Sequence, residues 1–178
     1  MIRVNREQID SALSKLRRPI DKYSWIQRGL RLVNVAEDKE FQRRFAGYYR
    51  VRFLKSAPRQ RLFDLLEESK KLPADFGTIL EKLCAATGRM EESFASKLAA
   101  TIDPNLPVID SWVRDNLGLS RPFSTENAKE IHQKIRGQYA EFLSTENGKY
   151  LIRRFAETYP EAHITHVKML DFVLWQTR

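Results

Sequence analysis

Apolar residues recur at the spacing of an α-helix along nearly the whole chain, and this periodicity limits the possible folds more than any other feature. The clearest case is a buried stripe made of Phe76, Ile79, Leu80, Leu83 and Cys84. The same spacing returns between residues 94 and 102. No segment alternates apolar and polar residues as a half-buried strand does. We therefore expect an all-α protein of about nine or ten helices.

Short turns, rather than linkers, separate the predicted helices. Glycine and proline mark these turns at residues 72–75, 87–89, 103–107 and 117–122. The periodicity predicts helices at residues 6–16, 25–33, 38–51, 59–69, 76–84, 94–102, 110–117, 127–143, 148–159 and 164–176. No internal repeat indicates a solenoid. Because 178 residues suffice for one full core, we expect residues 1–178 to form a single domain.

The cysteine and histidine content restricts metals and cofactors. Cys84 is the single cysteine, whereas a disulfide, a zinc finger or a cysteine-ligated iron–sulfur cluster needs at least two thiols. His163 and His166 lie close in sequence, but no carboxylate cluster accompanies them, so we interpret them as incidental surface residues. We expect neither a metal nor another cofactor.

The sequence carries no signal for a membrane. No apolar run approaches the roughly 20 residues that a membrane helix needs. Residues 1–18 alternate charged and apolar residues where a secretory signal peptide has an uninterrupted apolar stretch. We expect a protein without membrane association, cytoplasmic or nucleoid-associated in a bacterium, or nuclear in a eukaryote.

Positive charge is concentrated in the first third of the chain. Residues 1–61 contain 16 Lys and Arg against 6 Asp and Glu, whereas residues 62–178 contain 15 against 17. The whole net charge of +8 therefore comes from the first segment. Such an excess is typical of a protein that binds a polyanion, above all nucleic acid. A solubility face is the other interpretation of the same charge.

The stretch from Ala86 to Val113 is the most informative part of the sequence. It has the pattern of a helix end, a glycine turn, a second helix, a proline-rich loop and an aspartate that opens a third helix. A glycine turn frees backbone amides at the next helix start to bind phosphate, so Gly88 and Arg89 are candidate DNA contacts. The alternative is that Gly88 only caps the preceding helix in a left-handed conformation.

Asp110 follows Pro107-Val-Ile and precedes Ser-Trp-Val. This position predicts the N-cap of a helix, where backbone amides and the helix dipole favour an ionised carboxylate. An ordinary structural cap explains the residue without any catalytic role. Both interpretations stay open on local evidence.

Taken as a whole, the stretch resembles the helix-hairpin-helix DNA glycosylases, the superfamily of endonuclease III and the mismatch adenine glycosylases. In that superfamily, a loop of this kind ends in a proline, two apolar residues and the catalytic aspartate at a helix start. The resemblance implies that Asp110 is catalytic. This chain departs from the family in its hairpin, reduced to Thr87-Gly88-Arg89, and in lacking the cluster cysteines.

The resemblance also assigns the preceding helix. It places Ser93 where bifunctional members carry their lysine nucleophile, and a serine there is similar to the monofunctional adenine glycosylases, which implies hydrolysis without strand nicking. Lys97 lies four residues later on the same face and is a secondary catalytic candidate, because a buried lysine can form an imine. Ser93 and Ser96 are candidate DNA contacts on this polar face.

A base extruded from DNA needs an aromatic stacking wall and polar groups that read its edge. Tyr48, Tyr49 and Trp112 are the candidate base-pocket residues. Arg50 and Arg52 are candidate DNA contacts, because basic and aromatic residues interleave there. The tyrosines also share a helical stripe with two phenylalanines, which is equally typical of a core.

The resemblance implies a two-lobed, helix-hairpin-helix glycosylase-like bundle. Lobe A would span about residues 38–105, and lobe B about 1–37 plus 106–178. The expected function is that of a monomeric, monofunctional DNA glycosylase. It would flip and hydrolytically remove a modified or mismatched base from double-stranded DNA, in repair or in defence against phage with modified bases. The alternatives are a non-enzymatic DNA- or RNA-binding helical module and a helical adaptor for an acidic protein.

Overall fold

The computed structural model describes residues 2–51, 56–71 and 75–177, except for the side chains of residues 56–58, 112 and 116. Within these residues the chain is all-α and has no strand. The helices are α1 (Arg6–Leu13), α2 (Arg17–Leu32), α3 (Lys39–Tyr48), α4 (Ser56–Ser69), α5 (Phe76–Thr87), α6 (Glu92–Ile102), α7 (Ser111–Asn116), α8 (Thr125–Ser144), α9 (Glu146–Thr158) and α10 (His166–Gln176). The prediction of an all-α fold with about ten helices is confirmed.

Capping side chains explain where most helices begin. Asn5 opens α1 with a capping box, because its side chain accepts the Gln8 amide at 2.8 Å and the Gln8 side chain accepts the Asn5 amide at 3.0 Å. Single side-chain caps are made by Asp38, Asp75, Asp110, Ser124, Thr145 and Thr165. These local signals place the helix starts close to the predicted positions.

The predicted start of α2 at Trp25 is wrong, because the helix begins at Arg17. Pro19 lies in its first turn, where a missing amide proton removes no helical hydrogen bond. Buried Ile20 and Tyr23 extend the apolar face of the helix towards its start. Charged residues between them hide this face in the sequence.

The helices pack in two groups joined by further contacts. α4, α5 and α6 pack on one another, and α1, α8, α9 and α10 form the second group. α2 packs on α3, and α5 also contacts α8. The division into lobes at residues 38–105 and at 1–37 plus 106–178 stays a prediction.

Hydrogen bonds join the first helix to the penultimate one. The Tyr159 hydroxyl donates to the Leu13 carbonyl at 2.5 Å, and the Tyr150 hydroxyl donates to Asp10 at 2.8 Å. Arg154 also reaches Asp10, at 3.2 Å. The hydrogen bond from Tyr150 and the charge of Arg154 lower the pKa of Asp10. The two ends of the described chain therefore form one packing unit.

An aromatic row along α3 fills the core. Phe45 lies at its centre, with ring centroids 4.7 Å from Tyr49, 5.5 Å from Phe63 and 5.8 Å from Phe41. All four rings are buried. The core interpretation of the phenylalanines is correct, and the row ends at the cleft described next.

Candidate functional site

A cleft of about 910 Å³ opens between α2, the end of α3, α6, α7 and α10. It is lined by Arg18, Pro19, Lys22, Gly47, Tyr48, Tyr49, Arg50, Glu92, Ser93, Phe94, Lys97, Asp110, Ser111, Arg114, Arg121, Phe172, Trp175 and Gln176. Six of the predicted site residues are among them: Tyr48, Tyr49, Arg50, Ser93, Lys97 and Asp110. The fold thus brings together residues that are far apart in the sequence.

Asp110 is the N-cap of α7, as predicted from the sequence. Its Oδ1 atom accepts the Val113 amide at 2.8 Å, and the residue is partly exposed at the cleft wall. The cap and a role in the cleft are compatible, because the capping residue is itself part of the cleft lining. The capping bond fixes the direction in which the carboxylate faces.

Side chains from α6 and from the C-terminal part of the chain anchor the loop that carries Asp110. The Ser96 hydroxyl accepts the Ile109 amide at 2.9 Å, one residue before Asp110. Asp171 accepts the amide of Val108. At the start of the loop, Thr165 donates to the Pro104 carbonyl at 2.6 Å. The loop is therefore held at three points by α6 and the C-terminal part of the chain, which preorganises Asp110.

The polar face of α6 divides into cleft residues and a core residue. Ser93 and Lys97 line the cleft, and the Lys97 ammonium lies 5.1 Å from the centroid of the Phe94 ring. Ser96 is fully buried, because its hydroxyl bonds the Asp110 loop. The expectation of a DNA contact by Ser96 is at odds with this burial, and the residue instead positions the loop.

One wall of the cleft is aromatic. It consists of Tyr48, Tyr49, Phe172 and Trp175, which we call the aromatic wall. Tyr48 lies 4.7 Å from Tyr49 and 5.7 Å from Trp175, measured between ring centroids. The rings are mutually tilted, by 81° between Tyr48 and Tyr49 and by 41° between Tyr48 and Trp175. Tyr48 and Trp175 are the partly exposed members, so these two suit stacking against a nucleobase.

Tyr48 brings a polar group to the aromatic wall. Its hydroxyl oxygen is buried and has no hydrogen-bond partner among the described residues. Burial, reinforced by the neighbouring Tyr49, raises the pKa of Tyr48 well above its usual value. The phenol therefore stays protonated and keeps an unused hydrogen-bond donor behind the partly exposed face of the Tyr48 ring.

A buried ion pair lies directly behind the aromatic wall, and sequence reasoning missed it. Lys168 and Asp171 are 3.2 Å apart on α10, and each side chain is 1 % exposed. The Lys168 ammonium lies between 5.1 and 5.8 Å from the ring centroids of Tyr23, Tyr49, Phe172 and Trp175. The sequence did contain a signal for it, because Lys168 and Asp171 are opposite charges three residues apart in an otherwise apolar stretch of α10.

Cations outnumber acids among the residues that line the cleft. Six of its described lining residues are Lys or Arg, and two are acids. Glu92 already pairs with Arg114 at 3.0 Å, with both side chains almost buried.

Arg50 has a backbone φ of 54°, in the left-handed region where glycine usually ends a helix. A strained arginine at this point is typical of a functional position.

The predicted hairpin residues lie apart from the cleft. Gly88 ends α5 with φ +67° and donates its amide to Cys84 at 2.8 Å, so the capping interpretation is confirmed. The Arg89 side chain is 77 % exposed and lies 4.0 Å from Glu91. The proposed phosphate contacts of both residues stay predictions.

Two predicted site residues fall outside what the structure describes: Arg52 and the side chain of Trp112. In the described part of the chain, no group of three or more His, Cys, Asp or Glu is arranged to hold a metal ion. No helix in the same residues is both long and apolar enough to span a membrane.

Comparison of the chain with protein-family models, with curated proteins and with solved structures gives no match in any of the three. The geometry of the cleft therefore carries the functional argument.

Proposed function

We propose that this chain is a monofunctional DNA glycosylase that flips a modified or mismatched base out of double-stranded DNA and removes it by hydrolysis. One observation carries the proposal. Asp110, fixed by its helix cap and an anchored loop, faces a cleft with an aromatic wall on one side and cations in its lining. These are the three components that base excision needs: a carboxylate, a stacking surface and phosphate contacts.

In the proposed reaction, the glycosidic C1′–N bond breaks and its electron pair goes to the base nitrogen. The oxygen of a water molecule bonds to C1′, and the proton that it loses goes to Asp110. Asp110 also stabilises the positive charge that develops on the sugar before the water adds. The aromatic wall holds the base, with Tyr48 and Trp175 stacking against it.

The remaining cleft residues bind the DNA backbone in this proposal. Arg18 and Lys22 on α2, together with Arg50 and Arg121, are exposed residues of the cleft lining and would contact the phosphates beside an extruded nucleotide. Ser93 lies at the cleft side of α6, and Lys97 is the secondary catalytic candidate. A lysine imine would leave a nicked strand, whereas hydrolysis leaves an intact abasic strand.

The test is release of free base, measured by mass spectrometry, from duplexes that contain uracil, 8-oxoguanine mismatches, alkylated bases, or hydroxymethylated or glucosylated cytosine. The wild type is compared with Asp110→Asn, which keeps an N-cap side chain but loses the carboxylate. Asp38→Asn is the matched control, because Asp38 is a partly exposed N-cap outside the cleft that accepts the Phe41 amide at 2.7 Å. We expect release by the wild type and Asp38→Asn, and a loss of at least about 100-fold in Asp110→Asn.

A second candidate function is a non-enzymatic nucleic-acid-binding module. It is favoured by the bond from the Val113 amide to Asp110, which is also what a purely structural cap makes. Salt-dependent DNA binding is expected in both cases, so binding alone does not distinguish them. Absence of base release from the whole panel, with binding intact in all three proteins, would establish the module and refute the glycosylase.

A further inference from the structure

The buried Lys168–Asp171 pair has an orientation that matters for the cleft. The Lys168 ammonium faces the rings of Tyr49, Phe172 and Trp175, all of which line the cleft. Asp171 is held from other elements, by the Tyr139 hydroxyl on α8 at 2.8 Å and by the Val108 amide. The positive end of the pair thus lies behind the aromatic wall.

Lys168 keeps its charge despite its burial. Burial opposes the charged form, but the adjacent Tyr49 phenol and Asp171 carboxylate hold the pKa of Lys168 above its usual value. A buried pair of this kind is a poor source of stability, since desolvation of both ions offsets their attraction. Ionisable groups with perturbed pKa values cluster at functional sites, and this pair lies next to a cleft. A functional role therefore accounts for the pair better than a contribution to stability does.

A cation behind an aromatic ring changes what the front of the ring accepts. Of the three rings, Trp175 is the one that is partly exposed, and Lys168 already engages its negative face, so a second cation stacked on Trp175 meets repulsion. The cations that line the cleft add to this positive field. A negative charge that develops on a departing base is stabilised by the same field.

We infer that the cleft accepts a base that is neutral in DNA and departs as an anion, and that it rejects bases that carry a positive charge. The inference rests on the proposed function, because it takes the occupant to be an extruded base. Oxidised, deaminated or hydroxymethylated bases belong to the accepted class. Ring-alkylated bases with a fixed positive charge belong to the rejected class.

The test measures equilibrium binding to duplexes whose target nucleoside carries a 2′-fluoro sugar, which resists cleavage. Two pairs of duplexes are matched in ring system and differ in charge: 8-oxoguanine against 7-methylguanine, and 5-hydroxymethylcytosine against 3-methylcytosine. We expect the neutral member of each pair to bind about tenfold more tightly to the wild-type protein. Equal binding, or preference for the cationic members, would overturn the inference.

A paired variant assigns this preference to Lys168. Lys168→Met with Asp171→Asn removes both charges, preserves volume and leaves an acceptor for Tyr139. The control is Lys149→Met with Glu146→Gln, which removes an exposed pair at the same spacing. We expect the neutral-to-cationic ratio to fall about fivefold in the first variant only, with affinity for the neutral duplexes retained. An unchanged neutral-to-cationic ratio in a folded variant contradicts the role of Lys168. If this variant does not fold, the neutral-to-cationic ratios of the wild-type protein test the selectivity of the cleft.

Base release from the corresponding natural-sugar duplexes separates the two proposals. If the protein discriminates between the duplexes by charge but releases no base, the proposed glycosylase activity is refuted and the proposed charge selectivity of the cleft stands. If the protein releases 7-methylguanine in preference to 8-oxoguanine, the proposed charge selectivity is refuted and the proposed glycosylase activity stands.

Discussion

Two neighbouring helices carry the same motif, a lysine and an acid three residues apart, in opposite surroundings. On α9, Lys149 lies 2.9 Å from Glu146, and the side chains are 65 % and 77 % exposed. On α10, Lys168 and Asp171 are almost completely buried. Water competes with the first pair, whereas each ion of the second depends on its partner. The spacing of a pair in sequence therefore does not determine its energetic role, and its surroundings do.

The largest expected effect comes from breaking the buried pair. Lys168→Met leaves Asp171 buried without its counter-charge, which should lower the free energy of unfolding by about 3–5 kcal/mol. Lys149→Met should change it by less than about 0.5 kcal/mol. Urea denaturation measures both. Similar losses in the two variants would show that burial does not distinguish the pairs.

His132 sharpens the comparison, because it is buried and forms no ion pair with an acid among the described residues. Its ring stacks on Phe76 at 4.2 Å, and burial together with Arg136 lowers its pKa from the usual 6.5 to about 4. Below pH 6.5 the unfolded chain takes up a proton that the folded chain does not, so stability falls as pH drops towards 4. The loss should reach about 3 kcal/mol.

The variant His132→Gln removes this titration. Its free energy of unfolding should therefore fall less than that of the wild type between pH 7 and pH 4, when both are measured in urea. Parallel decreases in the two proteins would indicate that other groups govern the acid response.

A smaller effect on stability than that of His132, and of opposite sign, is expected at Arg50. Arg50→Gly relieves the left-handed backbone and should stabilise the fold by about 0.5–1 kcal/mol. It should also weaken DNA binding and reduce by about one the slope of log affinity against log salt, because one phosphate contact is lost. Thermal unfolding and salt titrations measure the two effects. Unchanged DNA affinity would remove Arg50 from the proposed binding surface.

How much of this could be predicted from the sequence depended on how local the signal was. The helices followed from apolar periodicity, and the cap at Asp110 followed from a short pattern around it. The burial of Ser96 was not foreseen, because a polar side chain on a helix does not reveal that it bonds a loop thirteen residues away. Lys168 and Asp171 were missed for the same reason, since only the packing of α10 shows that they face the protein interior.

The contact between the first helix and the C-terminal helices has a consequence for synthesis. α1 is translated more than a hundred residues before its partners α9 and α10. The Asp110 loop likewise waits for Thr165 and Asp171. A nascent chain therefore exposes the apolar face of α1 until α9 and α10 have been translated, which is the kind of surface that makes folding intermediates prone to aggregation. The cleft is completed only when the last helix has emerged, so interrupted translation yields polypeptides without the assembled site.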